Sequence, residues 1–215
     1  MVLYLHHQKV SQTKRMKKIN ALMIALLISA SAIAQSTWTI DKVHSKIGFA
    51  VAHMGVAETE GKFNEFDGTI VTKSDDFDNA EVSFVAKTAS IDTDNERRDG
   101  HLKSADFFDA EKYPEITFKG NLVKAGEKQY KLKGDFTMHG VTKQVEFDVT
   151  YGGRMNTGRG EKAGFKFNGQ LNRQDYGLTW ANKVATGEMV VGDMVDLLIR
   201  IELDKKGEPA AEKKG

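Results

Sequence analysis

From Ile47 to Leu203 apolar and polar residues trade places at every second position, in stretch after stretch. A chain with that period builds its core from strands, each with one dry and one wet face. Ile47, Phe49, Val51 and His53 alternate with Gly48, Ala50 and Ala52. Ala80, Val82, Phe84 and Ala86 alternate with Glu81, Ser83, Val85 and Lys87. The pattern returns at Ile116 and Phe118, at Tyr130, Leu132, Phe136 and Met138, and at Val145, Phe147, Val149 and Tyr151. It returns again at Phe165, Phe167 and Leu171, and at Val195, Leu197, Ile199, Ile201 and Leu203. A stretch from Phe66 to Thr72 brings the expected strands to eight.

One-sided strands of this kind form an antiparallel sheet. Eight of them can close on themselves and remove their edges. Glycines inside the strands (Gly48, Gly68, Gly134, Gly169) fit bends at barrel corners. A β-sandwich shares the alternation, but short turns such as Gly126-Glu127 and His139-Gly140 favour an up-and-down barrel. Between Asp92 and Lys112 the alternation stops. Thr93-Asp94-Asn95-Glu96 has the capping and early acidic residues of a helix start. A short helix is expected near Asn95–Leu102 and a further turn near Ala105–Asp109, together capping one barrel opening. An eight-stranded barrel is filled by its own side chains or holds one slim ligand. With this inward set the ligand would be an apolar chain.

The N-terminus narrows the setting. Residues 1–34 carry five basic and no acidic residues, then the apolar run Ala21 to Ile28, then small residues ending at Ala34. That is the order of a secretory signal peptide, cleaved after Ala34. The run is shorter than the roughly 20 residues of a membrane span. Met16-Lys17-Lys18 stands directly before the run, so residues 1–15 are read as an over-called start or a longer basic segment. Five of the 31 basic residues lie in the leader; 26 remain against 30 acidic. A net negative mature chain argues against nucleic acid as a partner. The chain has no cysteine, which excludes disulfides, thiolate metal sites, a catalytic thiol and an acylated cysteine. The domain is expected to span residues 35–204, and residues 205–215 to form a charged, disordered tail.

Beyond pattern, the residues resemble the YceI family of polyisoprenoid-binding or lipid-binding proteins. Trp38-Thr39-Ile40-Asp41 is followed by His44-Ser45-Lys46-Ile47-Gly48-Phe49 and His53-Met54-Gly55, then Gly61-Lys62-Phe63 and Phe66-Asp67-Gly68. The most specific block runs from Arg97 through Asp109 and on from Tyr113 to Phe118. Later blocks are Gly134 to Lys143 and Asn172-Arg173 with Asp175-Tyr176-Gly177. The resemblance extends from about Ser36 to Leu203. It implies a lipocalin-like barrel of eight strands with a short helical cap. It also implies periplasmic or secreted location, pairing as a homodimer, and a polyprenyl, quinone or fatty-acid-derived chain held inside without catalysis.

The candidate binding residues follow. Phe49, Val51, Phe84, Phe118, Phe136, Phe147 and Phe167 face the interior by alternation, and Leu102, Phe107 and Phe108 line or plug it from the cap. Arg98 and His101, beside Lys103, are placed at the mouth, where cationic donors suit a polar head group; a purely structural role for Arg98 competes with this. His53 closes an inward face, as a core histidine or a head-group contact. Arg173 and Tyr176 end a strand ahead of a polar loop containing Trp180. Asp41, His44 and Ser45 are read as a turn, not a catalytic set, and the scattered histidines lack metal-site spacing. No cofactor other than the lipid cargo is expected. A lipid-modifying enzyme and a ligand-free filled barrel are the competing classes.

Overall fold

The computed structural model describes residues 35–206; the leader at 1–34 and residues 207–215 lie outside it. Eleven strands form one continuous antiparallel sheet. They are β1 (Ser36–Ile40), β2 (Lys46–His53), β3 (Ala57–Phe63), β4 (Phe66–Thr72), β5 (Ala80–Lys87), β6 (Ile91–Asp92), β7 (Glu115–Lys124), β8 (Gln129–Met138), β9 (Val141–Asn156), β10 (Glu161–Asn172) and β11 (Val191–Lys205). They occupy eight barrel positions, because three positions are interrupted. β1 and β2 pair in succession with one edge of β11, Ile40 opposite Leu203 and Ile47 opposite Ile199. β3 and β4 likewise pair with β2 and β1, and β6 and β5 with β3 and β4. From there β5, β7, β8, β9, β10 and β11 each pair with the next. The order is up-and-down and the ring from β1 through β4, β5 and β7 to β11 closes on β1, while the branch β2–β3 ends at the short β6.

All eight strands expected from the alternation are present at their own barrel positions. The short breaks were not expected. Asp41–Ser45 is a turn between β1 and β2: the Asp41 carboxylate accepts the amides of Val43 (2.9 Å) and His44 (3.2 Å). Ser45 is tied to the backbone of Glu202 on β11 (2.9 Å). The final strand runs through Lys205, opposite Trp38, one residue into the stretch read as tail.

One end of the barrel is filled. Trp38, Phe77, Tyr151 and Phe165 stack edge to face or tilted, with ring centroids 5.1 to 5.8 Å apart. Tyr130 packs against Tyr151 and donates its hydroxyl to the Asp76 carbonyl. Phe77 adopts φ +60° to enter this cluster from the β4–β5 loop. Rings of this size remove large apolar areas from water and leave no channel through that end.

At the opposite end stands the expected cap, helix α1 (Glu96–Lys103). Its start follows from the residues expected to cap it: Asn95 accepts the Arg98 amide at 3.0 Å. None of its residues is buried, so α1 is a thin cover and not part of the core.

Candidate functional site

Between the aromatic plug and α1 the barrel holds a partly open cavity of about 190 Å³. Its wall comes from nearly every strand, and its roof from Leu102, Phe107, Phe108 and Leu178. Thr69, Ser83 and Arg173 are the polar residues that border it. Such a lining offers dispersion and dry surface, with few groups to orient a polar substrate.

Two strand glycines shape the space. A Cβ on Gly61 would lie 2.4 Å from Cζ of Phe49, its direct partner across β2–β3. One on Gly169 would lie 2.4 Å from Cδ1 of Phe147 on the neighbouring strand. Each phenyl ring occupies the space that a side chain at the glycine would take.

The sequence-based candidates divide cleanly. Phe49, Val51, Phe84, Leu102, Phe107, Phe108, Phe118, Phe136, Phe147, Phe167 and Arg173 all border the cavity. His53, Arg98, His101 and Tyr176 do not. His53 sits at the very end of β2, opposite Ala57 and Val191. Tyr176 is buried behind the wall, edge-on to Phe136 at 5.5 Å. Arg98 turns back on its own loop: Nε donates to Thr93 Oγ1 and Nη2 to the Thr93 carbonyl, both at 2.7 Å. Asp99 holds the same residue through the Thr93 amide at 2.9 Å. The pair anchors α1, which is the structural alternative weighed for Arg98.

His101 belongs to a latch. Its ring meets Phe107 at 5.0 Å and Trp180 at 5.3 Å, both nearly perpendicular, and Phe107 meets Trp180 at 5.2 Å. Nε2 faces Asp106 at 3.2 Å. The β10–β11 loop carrying Trp180 therefore closes onto the cap at the same end of the barrel. The loop is itself pinned by Arg173, only 3% exposed. Its Nε donates to the Gly192 carbonyl, Nη1 to the carbonyls of Leu178 and Trp180, and Nη2 to the Val191 carbonyl and Asp193 Oδ1. All five guanidinium N–H groups are thereby used. Desolvation draws its pKa below the ordinary arginine value, with Asp193 opposing.

Several lining residues had no place among the candidates. Phe63 follows Gly61 in a two-residue alternation too short to stand out, and Ile40 ends a five-residue strand. Leu178 lies in an aperiodic loop and is placed by Arg173, which no local pattern reveals.

One cluster of metal-ligand type stands on the outer wall among the described residues: Asp41, His44 and Glu202. Its centre is taken by the Lys162 ammonium, 2.7 Å from Asp41, 2.8 Å from Glu202 and 2.9 Å from Asp204. Lys162 first, then His44, hold the Asp41 carboxyl far below the usual range. The same contacts raise Lys162, and Asp41 raises His44. The cluster fastens the β1–β2 turn across β11 to β10.

Comparison with known proteins agrees with this architecture. The family described as YceI-like domain matches residues 38–203. A UPF0312 protein of Pseudomonas putida (strain GB-1) is 40% identical over 162 residues, covering 74% of this chain and 84% of its own. The YceI protein of Campylobacter jejuni is 31% identical, with a TM-score of 0.62 over 78% of this chain and 97% of the other. A polyisoprenoid-binding domain from Saccharophagus degradans shares the fold at 13% identity, with a TM-score of 0.58 over 79% of this chain and 98% of its own. By sequence match, closed eight-position barrel and capped cavity alike, the chain belongs to the YceI-like family.

Proposed function

We propose that this protein is a periplasmic or secreted carrier that buries one long isoprenoid, quinone-tail or acyl chain in its barrel and performs no chemistry on it. The observation that carries the reading is the capped cavity, apolar along its walls and closed by aromatic rings at the far end. Each methylene-sized group transferred there from water contributes roughly 0.8 kcal/mol, so a chain of several prenyl units reaches useful affinity after ordering costs. The description of the Saccharophagus domain as polyisoprenoid-binding supports the same cargo class, and the basic, apolar, small-residue leader supports export. Against an enzyme, the acidic and histidine side chains that meet do so outside the cavity lining: Asp41 and His44 on the outer wall with a lysine between the carboxylates, and His101 and Asp106 on the cap.

Titration of lipid-stripped protein with a long-chain polyprenol tests this. Saturation at one molecule per chain, with the polyprenol recovered unaltered, is expected. Absence of binding, or recovery of a converted product, contradicts it.

A further inference from the structure

We propose that the cavity selects an uncharged lipid, with an alcohol, ketone, ester or amide head and not a phosphate or carboxylate. The inference rests on the carrier reading and narrows it to a cargo class.

A buried head group would meet few charges. Among the described residues Arg173 is the one ionisable residue bordering the cavity, and it has nothing left to donate. Its five N–H groups go to four backbone carbonyls and to Asp193, whose carboxylate also neutralises its charge at 3.1 Å. An anion placed beside it would displace one of those bonds or remain unpaired.

The cap's cations, Arg97, Arg98, His101 and Lys103, all stand outside the cavity lining. Arg98 is turned toward Thr93, and His101 is walled by Phe107 and Trp180 with Asp106 at its ring nitrogen. Neither borders the cavity. The far end is equally closed to charge: the plug is Trp38, Phe77, Tyr151 and Phe165, and the Tyr130 hydroxyl is committed to the Asp76 carbonyl. An ionised head carried in with its tail would lose its hydration and gain no partner. A neutral head loses far less, and a single hydroxyl or carbonyl can remain near the roof.

The test uses two matched pairs on the full-length protein stripped of lipid, below micellar concentrations, with bound lipid quantified by equilibrium dialysis. Geranylgeraniol and geranylgeranyl pyrophosphate share one tail, as do octadecanamide and stearate at neutral pH. The neutral member of each pair is expected to bind about a hundredfold more tightly, or better, the size of an unpaired buried charge. Equal binding within the pairs, or preference for the anions, overturns the selection while leaving the carrier reading in place. Discrimination in the pyrophosphate pair alone points to head-group size and also overturns it. Failure of all four to bind overturns both.

Discussion

Gly169 sets the width of the cavity. It faces inward on β10 between Phe167 and Leu171, and the ring of Phe147 lies across it. Replacing it with alanine puts a methyl 2.4 Å from Phe147 Cδ1, about 1 Å inside ordinary contact. The ring's free direction is into the cavity, so it lifts by that amount. Overpacking of this kind costs about 1 kcal/mol where a void can take up the strain. Removing a strand-interior glycine recovers about 0.5–1 kcal/mol of backbone entropy. Stability in urea should therefore hardly change. Binding should fall, because the lifted ring takes the space of one or two methylenes, at roughly 0.8 kcal/mol each. That is about a four- to fifteenfold loss in affinity. Gly169→Ala combined with Phe147→Leu should recover most of it, a coupling that a double-mutant cycle measures directly. Unchanged polyprenol affinity in Gly169→Ala, or additivity of the two substitutions, would refute the idea that Phe147 forms the cavity wall by resting on Gly169.

Arg173→Lys should destabilise the fold by about 3–5 kcal/mol, since an ammonium cannot span the carbonyls of Leu178, Trp180, Val191 and Gly192; thermal melting reads the loss, and limited proteolysis should cut first between residues 178 and 192. Trp180→Ala removes the ring that joins the β10–β11 loop to His101 and Phe107, and stopped-flow release of a bound polyprenol should accelerate severalfold while urea stability drops by less than about 2 kcal/mol; an unchanged release rate contradicts the latch. The depressed Asp41 carboxyl contributes stability that is fully present above its ordinary value near 3.8 and is lost as acid protonates it. Between pH 5 and pH 2 the natural chain should lose about 1 kcal/mol more than Asp41→Asn, a difference read by denaturant titration at each pH; parallel curves would show that the Lys162 contact contributes nothing.

Much of the barrel was legible because each side chain reports its face twice per turn of the pleat. Phe84, Phe118, Phe147 and Phe167 alternate with charged or small residues and all border the cavity. The cap was legible from chemistry that is local in the chain: Asn95 bonds a group three residues away. β3 was not, for a reason visible in its neighbour. Its inward face is Ala57, Thr59, Gly61 and Phe63, and the apolar cover that Gly61 lacks is supplied by Phe49 from the next strand. A strand whose dry face is borrowed carries no hydrophobic period of its own. The mouth misled for a related reason. Arg98 and His101 look like head-group donors in a list of residues, and Arg173 stands among the candidates too, but whether a donor is free depends on partners the list does not show. Thr93 is close in sequence to Arg98, whereas the carbonyls that hold Arg173 come from a loop up to nineteen residues away.

The most direct test of the account is to purify the protein without detergent from the host that makes it, extract it with organic solvent, and identify the extract by mass spectrometry. One prenyl, quinone or acyl lipid with an uncharged head, near one molecule per chain, is expected. An extract free of lipid, repeated after gentle handling, would contradict the carrier reading and make the cavity a feature of a barrel that works through its surface.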